Sequence, residues 1–130
     1  MKRLLIAVAL IVVVPVVVFA ASNAVMVIQG IVGPTTKATL TDTARAIDNV
    51  VGGSSVYVRN SQHPIAATIS VETKGARFAC GGTTPTVDNV GHVLAADASM
   101  RITGASAVRS LKLVNAVAGD NSVVQITLEY

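Results

Sequence analysis

The chain reads as an all-β protein. The expectation is a single antiparallel β-sandwich or jelly-roll-like domain over residues 31–130, behind an apolar N-terminal arm or leader over residues 1–30. Three observations predict it. The apolar half of the composition is almost free of aromatic residues, with two Phe, two Tyr and no Trp, so the core must be built from Val, Ile, Leu and Ala. Past Gly30 the pattern alternates with period two and is broken by Gly, Pro and Asn, which is strand and turn chemistry. No stretch beyond residue 35 carries an extended amphipathic helical pattern. The 130 residues allow one domain.

Taken in order, Ala38-Thr39-Leu40-Thr41 reads as a strand. Val50-Val51 leads into the turn Gly52-Gly53-Ser54-Ser55. Val56-Tyr57-Val58-Arg59 reads as the next strand, closed by residues 60–64 with their Asn and Pro. Ala67, Ile69 and Val71 alternate with Thr68, Ser70 and Glu72, which predicts a half-buried strand. Lys74-Gly75 turns it, and Arg77-Phe78-Ala79-Cys80 is expected to return antiparallel. Gly82, Thr83, Thr84, Pro85 and Thr86 then form an irregular surface loop. Val93-Leu94 is a short strand. Met100 and Ile102 mark another, stopped by Gly104. Residues 105–114 suit one helical turn followed by a strand. Gly119-Asp120-Asn121 is a turn signal. The last strand places Val124, Ile126, Leu128 and Tyr130 on one face and ties the last residues into a sheet. Seven or eight strands at spacings of about 8–12 residues suit a sandwich or jelly roll.

The first thirty residues are of another kind. Lys2 and Arg3 are followed by no charge until Lys37, and residues 4–21 are all apolar. Three readings stay open. A basic start, an apolar run and the small residues Ala20, Ala21, Ser22 and Ala24 fit a cleaved secretory signal, cut after Ala20 or Ala24. Residues 4–28 are long enough for a membrane span, with Lys2 and Arg3 on the cytoplasmic side. The third reading is an interaction arm buried against protein. Its residues would be Leu4, Leu5, Ile6, Val12, Val13, Val14, Pro15, Val16, Val17, Val18 and Phe19. The β-branched triplets around Pro15 are what strands buried on both faces look like.

Composition argues against several functions. The sequence pI is near 9.4, but two of its ten cations lie in the leader. The other eight face seven acids and are scattered, so no basic run meets a phosphate backbone. Nucleic acid is not an expected partner. Cys80 is the only cysteine, so no intrachain disulfide forms. His63, Cys80, Asp88 and His92 lack the close pairing of a zinc site, and no metal or cofactor is expected. Cys80 and His92 could mimic a thiol–imidazole pair, but nothing in the sequence activates the thiol. No nucleophile motif or phosphate loop is present. The chain is expected not to be an enzyme.

A resemblance adds to this reading. Residues 67–130 resemble a group of small tailed-phage structural proteins. It is carried by Ile69-Ser70-Val71-Glu72-Thr73, Arg77-Phe78 and Gly82-Thr83-Thr84-Pro85-Thr86. It continues in Val90-Gly91-His92-Val93-Leu94-Ala95-Ala96, Ser110-Leu111-Lys112-Leu113-Val114 and the final strand from Val124 to Tyr130. The resemblance implies a β-sandwich that decorates or cements a capsid. Its partners would be the major capsid protein, other virion subunits and further copies of itself. Such proteins need no secretory leader, so under this resemblance the apolar segment becomes an arm or an anchor in a viral membrane. The rival expectation is an exported bacterial β-sandwich binding module, periplasmic, extracellular or membrane-anchored.

Overall fold

The computed structural model describes residues 31–130, and the interaction-arm residues 4–19 and the 4–28 membrane expectation lie outside them. Among the described residues eight strands form two four-stranded antiparallel sheets. They are β1 (Val32–Thr39), β2 (Arg45–Ala46), β3 (Ala66–Thr73), β4 (Ala76–Ala79), β5 (His92–Leu94), β6 (Ser99–Thr103), β7 (Lys112–Asn115) and β8 (Val123–Glu129). Among the described residues three short helices interrupt them: α1 (Ile47–Val50), α2 (Ser54–Tyr57) and α3 (Ala105–Ser110). One sheet has the order β1-β8-β3-β6 and the other β2-β7-β4-β5. The pairing is therefore nested. β1 pairs with β8, β2 with β7, β3 with β6 and β4 with β5, and successive pairs fall in alternate sheets.

Period two explains the core. Ala67, Ile69 and Val71 of β3 and Val124, Ile126 and Leu128 of β8 are all buried, while their neighbours Thr68, Ser70, Gln125 and Thr127 are only partly covered. Ala76 of β4 and Leu113 of β7 join the same cluster from the second sheet, so one core serves both sheets. The outer face of the first sheet is polar and paired within itself. Thr35 and Thr127 share a hydroxyl hydrogen bond of 2.7 Å. Arg101 grips the Glu129 carboxylate through two nitrogens, at 2.9 and 2.6 Å.

The final strand is as predicted and lies inside its sheet, between β1 and β3. Gly104 stops β6 with φ +100°, and Gly119 and Asn121 turn the chain with φ of +78° and +51°. Residues 105–114 form one short helix and then a strand, also as predicted.

Three local expectations are corrected. β1 begins at Val32, six residues before the predicted strand, and carries a register shift between Val32 and Thr35 where Pro34 removes a donor. Residues 54–57 are helical, not part of a strand over 56–59. Gly53 enters that turn at φ +99°, and the turn buries Tyr57 against the end of the core. β4 does not return onto β3 but crosses to the second sheet, between β7 and β5. Lys74, at φ +60°, and Gly75, where an added Cβ would come within 3.0 Å of the Ala116 Cβ, redirect the chain there.

Strand directions sort the connections into two ends. The β1–β2, β3–β4 and β7–β8 connections meet at one end, where Asp42, Asn115, Gly119 and Ser122 bind one another. α1, α2, α3, Ile31 and Tyr130 lie at the other, where Ile31 and Tyr130 exchange both backbone hydrogen bonds at 2.9 Å.

Candidate functional site

The loop over residues 82–86 follows β4, as expected, but only part of it is open. Gly82, Thr83, Thr84 and Thr86 are exposed and Pro85 is buried. Two cations from strands hold the loop that runs from β4 to β5. Lys112 Nζ donates to Thr84 Oγ1 at 2.7 Å. Arg77 Nη1 donates to the Asn89 and Gly91 carbonyls at 3.1 and 3.2 Å, and its Nε to the Ala116 carbonyl at 3.4 Å. Thr86 closes a local turn with Val90, through backbone and hydroxyl.

Alternation along β4 and β7 puts Arg77, Ala79, Lys112 and Val114 on the face opposite Phe78 and Leu113. Phe78 and Leu113 pack in the common core. Yet Val114 is wholly buried and Ala79 almost so. The loop is what covers them, because the cations beside them anchor it. The predicted surface loop is therefore a lid packed on the second sheet, with Gly82 and Thr83 at its open tip.

Gly91 is the tightest point of that lid. It sits at φ +105°, and a Cβ there would meet the Phe78 carbonyl oxygen at 2.9 Å and Pro85 Cβ at 3.0 Å. Gly91→Val is expected to destabilise the domain by about 1–3 kcal/mol, from left-handed strain and overpacking. The readout is urea unfolding, with amide exchange at Val114 speeding up more than at Ile126.

Cys80 and His92 do share a cleft, of about 300 Å³, with Ala79, Thr83 and Gly91. His92 lies over Phe78 with ring centroids 5.4 Å apart. Burial pushes the Cys80 thiol above its ordinary range, which favours the unreactive protonated form. His63 is elsewhere, 6.1 Å from the Tyr57 ring. Among the described residues no three His, Cys, Asp or Glu side chains converge as metal ligands.

A larger cleft, which the sequence did not flag, lies at the helix end. It measures about 580 Å³ and is lined by Val32, Gly33, Pro34, Ser55, Val56 and Arg59. Tyr130 packs against two of these lining residues. The ring approaches Gly33 so closely that a Cβ there would come within 2.7 Å, and the hydroxyl donates to the Val56 carbonyl at 3.0 Å. Around it Ile31, Val32 and Ile65 are 65%, 64% and 47% exposed. The signal available in the sequence was Gly33-Pro34 beside two aliphatic residues, a pattern that breaks a strand edge. Comparison with protein-family models, with curated proteins and with solved structures finds no match to this chain. Among the described residues no helix is long and apolar enough to cross a membrane.

Proposed function

We propose that this chain is a non-enzymatic structural protein of a virion, a jelly-roll sandwich that decorates or cements a capsid and ties neighbouring subunits together. The nested pairing carries this reading. Eight strands that pair first with last, second with seventh, third with sixth and fourth with fifth, in alternating sheets, describe one long hairpin rolled over a core. That is how a double-sheet jelly roll is wound, and viral capsid and lectin domains and cupins are built so. The segments that carry the likeness to tailed-phage proteins fall in β3, β4, the pinned loop, β5, β7 and β8. The polar, self-paired outer face of the first sheet suits a solvent-facing wall, which leaves the ends and edges for contacts.

In this reading residues 4–19 are an arm that buries apolar surface against a neighbour, at roughly 25 cal/mol per Å². The test is occupancy on purified virus particles by the full chain and by a variant lacking residues 1–30. The full chain is expected to co-sediment and the variant to fall about tenfold or more. Equal occupancy would refute a role for the arm. A mature mass that begins at Ala21 or Val25 would favour the exported binding module instead.

A further inference from the structure

We infer that the helix end of one copy of this chain docks head to tail on the opposite end of a second copy. The contact needs neither a capsid nor the apolar leader, so the inference stands apart from the virion reading. Each end has an apolar centre and a charged rim, and the two rims have opposite sign. At the helix end Ile31, Val32 and Ile65 are exposed. Register groups them, since Ile31 bonds to Tyr130 and Ile65 to Glu129 through the backbone, from the two sides of the last strand. Outside the Arg101–Glu129 pair, this end carries the cations Arg45, Arg59, Arg109 and Lys112 against one carboxylate, Asp48. Arg45 is taken up by the Asn49 carbonyl and Lys112 by the Thr84 hydroxyl. Arg59 and Arg109 are exposed, and neither makes an ion pair among the described residues.

At the other end Val117 is exposed, and so are Ala118 beside it and Ala95 and Ala96 in the β5–β6 connection. Four carboxylates stand around them. Asp42 accepts the Gly119 N–H, and Asp120 lies 3.6 Å from Lys74. The Asp88 N–H is bound to the Ala116 carbonyl at 3.0 Å and the Asp97 N–H to the Val71 carbonyl at 2.8 Å, which fixes both residues at this end. The cations here are Lys74, which faces Asp120, and Arg77, which is held by three carbonyls. Asp88 and Asp97 are exposed, and neither has an ion pair among the described residues.

Charge selects the occupant and its orientation. The two ends are separated by the length of β1, whose eight residues at ~3.3 Å each span about 25 Å. Screening in physiological salt acts over ~8 Å, so one end does not neutralise the other within a molecule. Two helix ends face to face would set arginine against arginine, and two opposite ends would set aspartate against aspartate. Both arrangements repel. The helix end of one copy on the opposite end of the next sets Arg59 and Arg109 against Asp88 and Asp97, and lays Ile31, Val32 and Ile65 over Val117. An apolar centre inside a polar rim of complementary sign is the anatomy of a specific interface. The contact is heterologous, so repetition closes a ring or extends a filament.

Sedimentation velocity of the full chain over a range of concentrations tests this. Self-association is expected to weaken about tenfold or more when salt rises from about 0.05 to about 0.5 M. A chain that stays monomeric at low salt, or associates equally well or better at high salt, would overturn the inference. Charge reversal then separates this contact from any other. Arg59→Glu with Arg109→Glu makes both ends acidic, and Asp88→Lys with Asp97→Lys makes both basic. Each double variant is expected to lose about tenfold or more in self-association at low salt. The chain carrying all four substitutions has the parent's net charge and is expected to associate within about threefold of the parent, because its ends are complementary again. All four positions are exposed, and unchanged thermal unfolding midpoints check that the fold is kept. Double variants that associate like the parent would overturn the inference. So would a loss confined to the arginine reversal, which would mean that the helix end meets a different surface, and so would a folded fourfold variant that stays monomeric.

Discussion

Ile126→Ala is expected to cost about 2–5 kcal/mol of stability, the largest loss from a single truncation in the domain. Ile126 is wholly buried. It pairs with Thr36 on one side and Ile69 on the other, and its side chain lies in the core that both sheets share. With few aromatic side chains to close around the gap, the Val, Ile and Leu neighbours cannot fill the space of the lost methylenes. The penalty then has both a transfer and a cavity part. Against a typical stability of about 5–15 kcal/mol, that is a large share. The control is Thr35→Ala on the exposed face, where the hydroxyl pair with Thr127 is solvated and the change stays within about 0.5 kcal/mol. Urea midpoints at constant slope check both. A loss at Ile126 no larger than at Thr35 would contradict the shared core.

Strands that alternate cleanly were legible, and partners were not. β8 could be read residue by residue because burial on one face of a strand imposes period two, and that signal is local. The same holds for β3 and for the stop at Gly104. Which strand lies beside which is a non-local matter. Of all consecutive strands only β4 and β5 pair with each other, so the habit of reading neighbouring strands as hairpins misplaced β4. Residues 56–59 failed for a related reason. Val-Tyr-Val has strand propensity, but propensity yields to tertiary demand, and here a helical turn puts Tyr57 into the core. Its hydroxyl is buried with no hydrogen-bond partner among the described residues, a cost offset by the burial of the ring. The candidate site was half legible. The Gly82–Thr86 loop could be placed, but its attachment depends on Arg77 and Lys112. A lone cation in a strand does not announce which carbonyl it will meet. The helix-end cleft forms only when β1, α2 and the last residue come together, and no window of sequence contains all three.

Asn115→Asp is expected to invert the acid response of the domain. Asn115 is wholly buried in the end opposite the helices. Its Nδ2 donates to Asp42 Oδ1 at 2.9 Å, and its Oδ1 accepts the Ser122 N–H at 2.9 Å. Gly119 N–H donates to both Asp42 oxygens at 3.0 Å. Ser122 Oγ in turn donates to the Gly75 carbonyl. One amide thus joins three connections. The Asn115 hydrogen bond first, and the Gly119 N–H second, hold the Asp42 carboxyl below its ordinary value. Glu72 is lowered in the same direction by Lys37 and then Gln125, and Glu129 by Arg101. A folded pKa below the unfolded one gives stability that is complete above the unfolded carboxylate range. It is lost as pH falls through the folded value. The parent protein should therefore weaken steadily below the ordinary carboxylate pKa. In Asn115→Asp the donor facing Asp42 becomes a second carboxylate. Two carboxylates sharing a site raise one pKa. The folded state of the variant then suffers most at neutral pH and recovers as pH falls into the carboxylate range and a proton bridges the pair. Asn115→Leu removes the same bonds without adding charge. It should cost about 1–3 kcal/mol, because the buried Ser122 N–H loses its partner, with no recovery in acid. Thermal unfolding midpoints of the three proteins from neutral to acid pH separate these outcomes. Parallel profiles for the Asp and Leu variants would mean that Asn115 only fills space, and that the connections are held together by packing rather than by its amide.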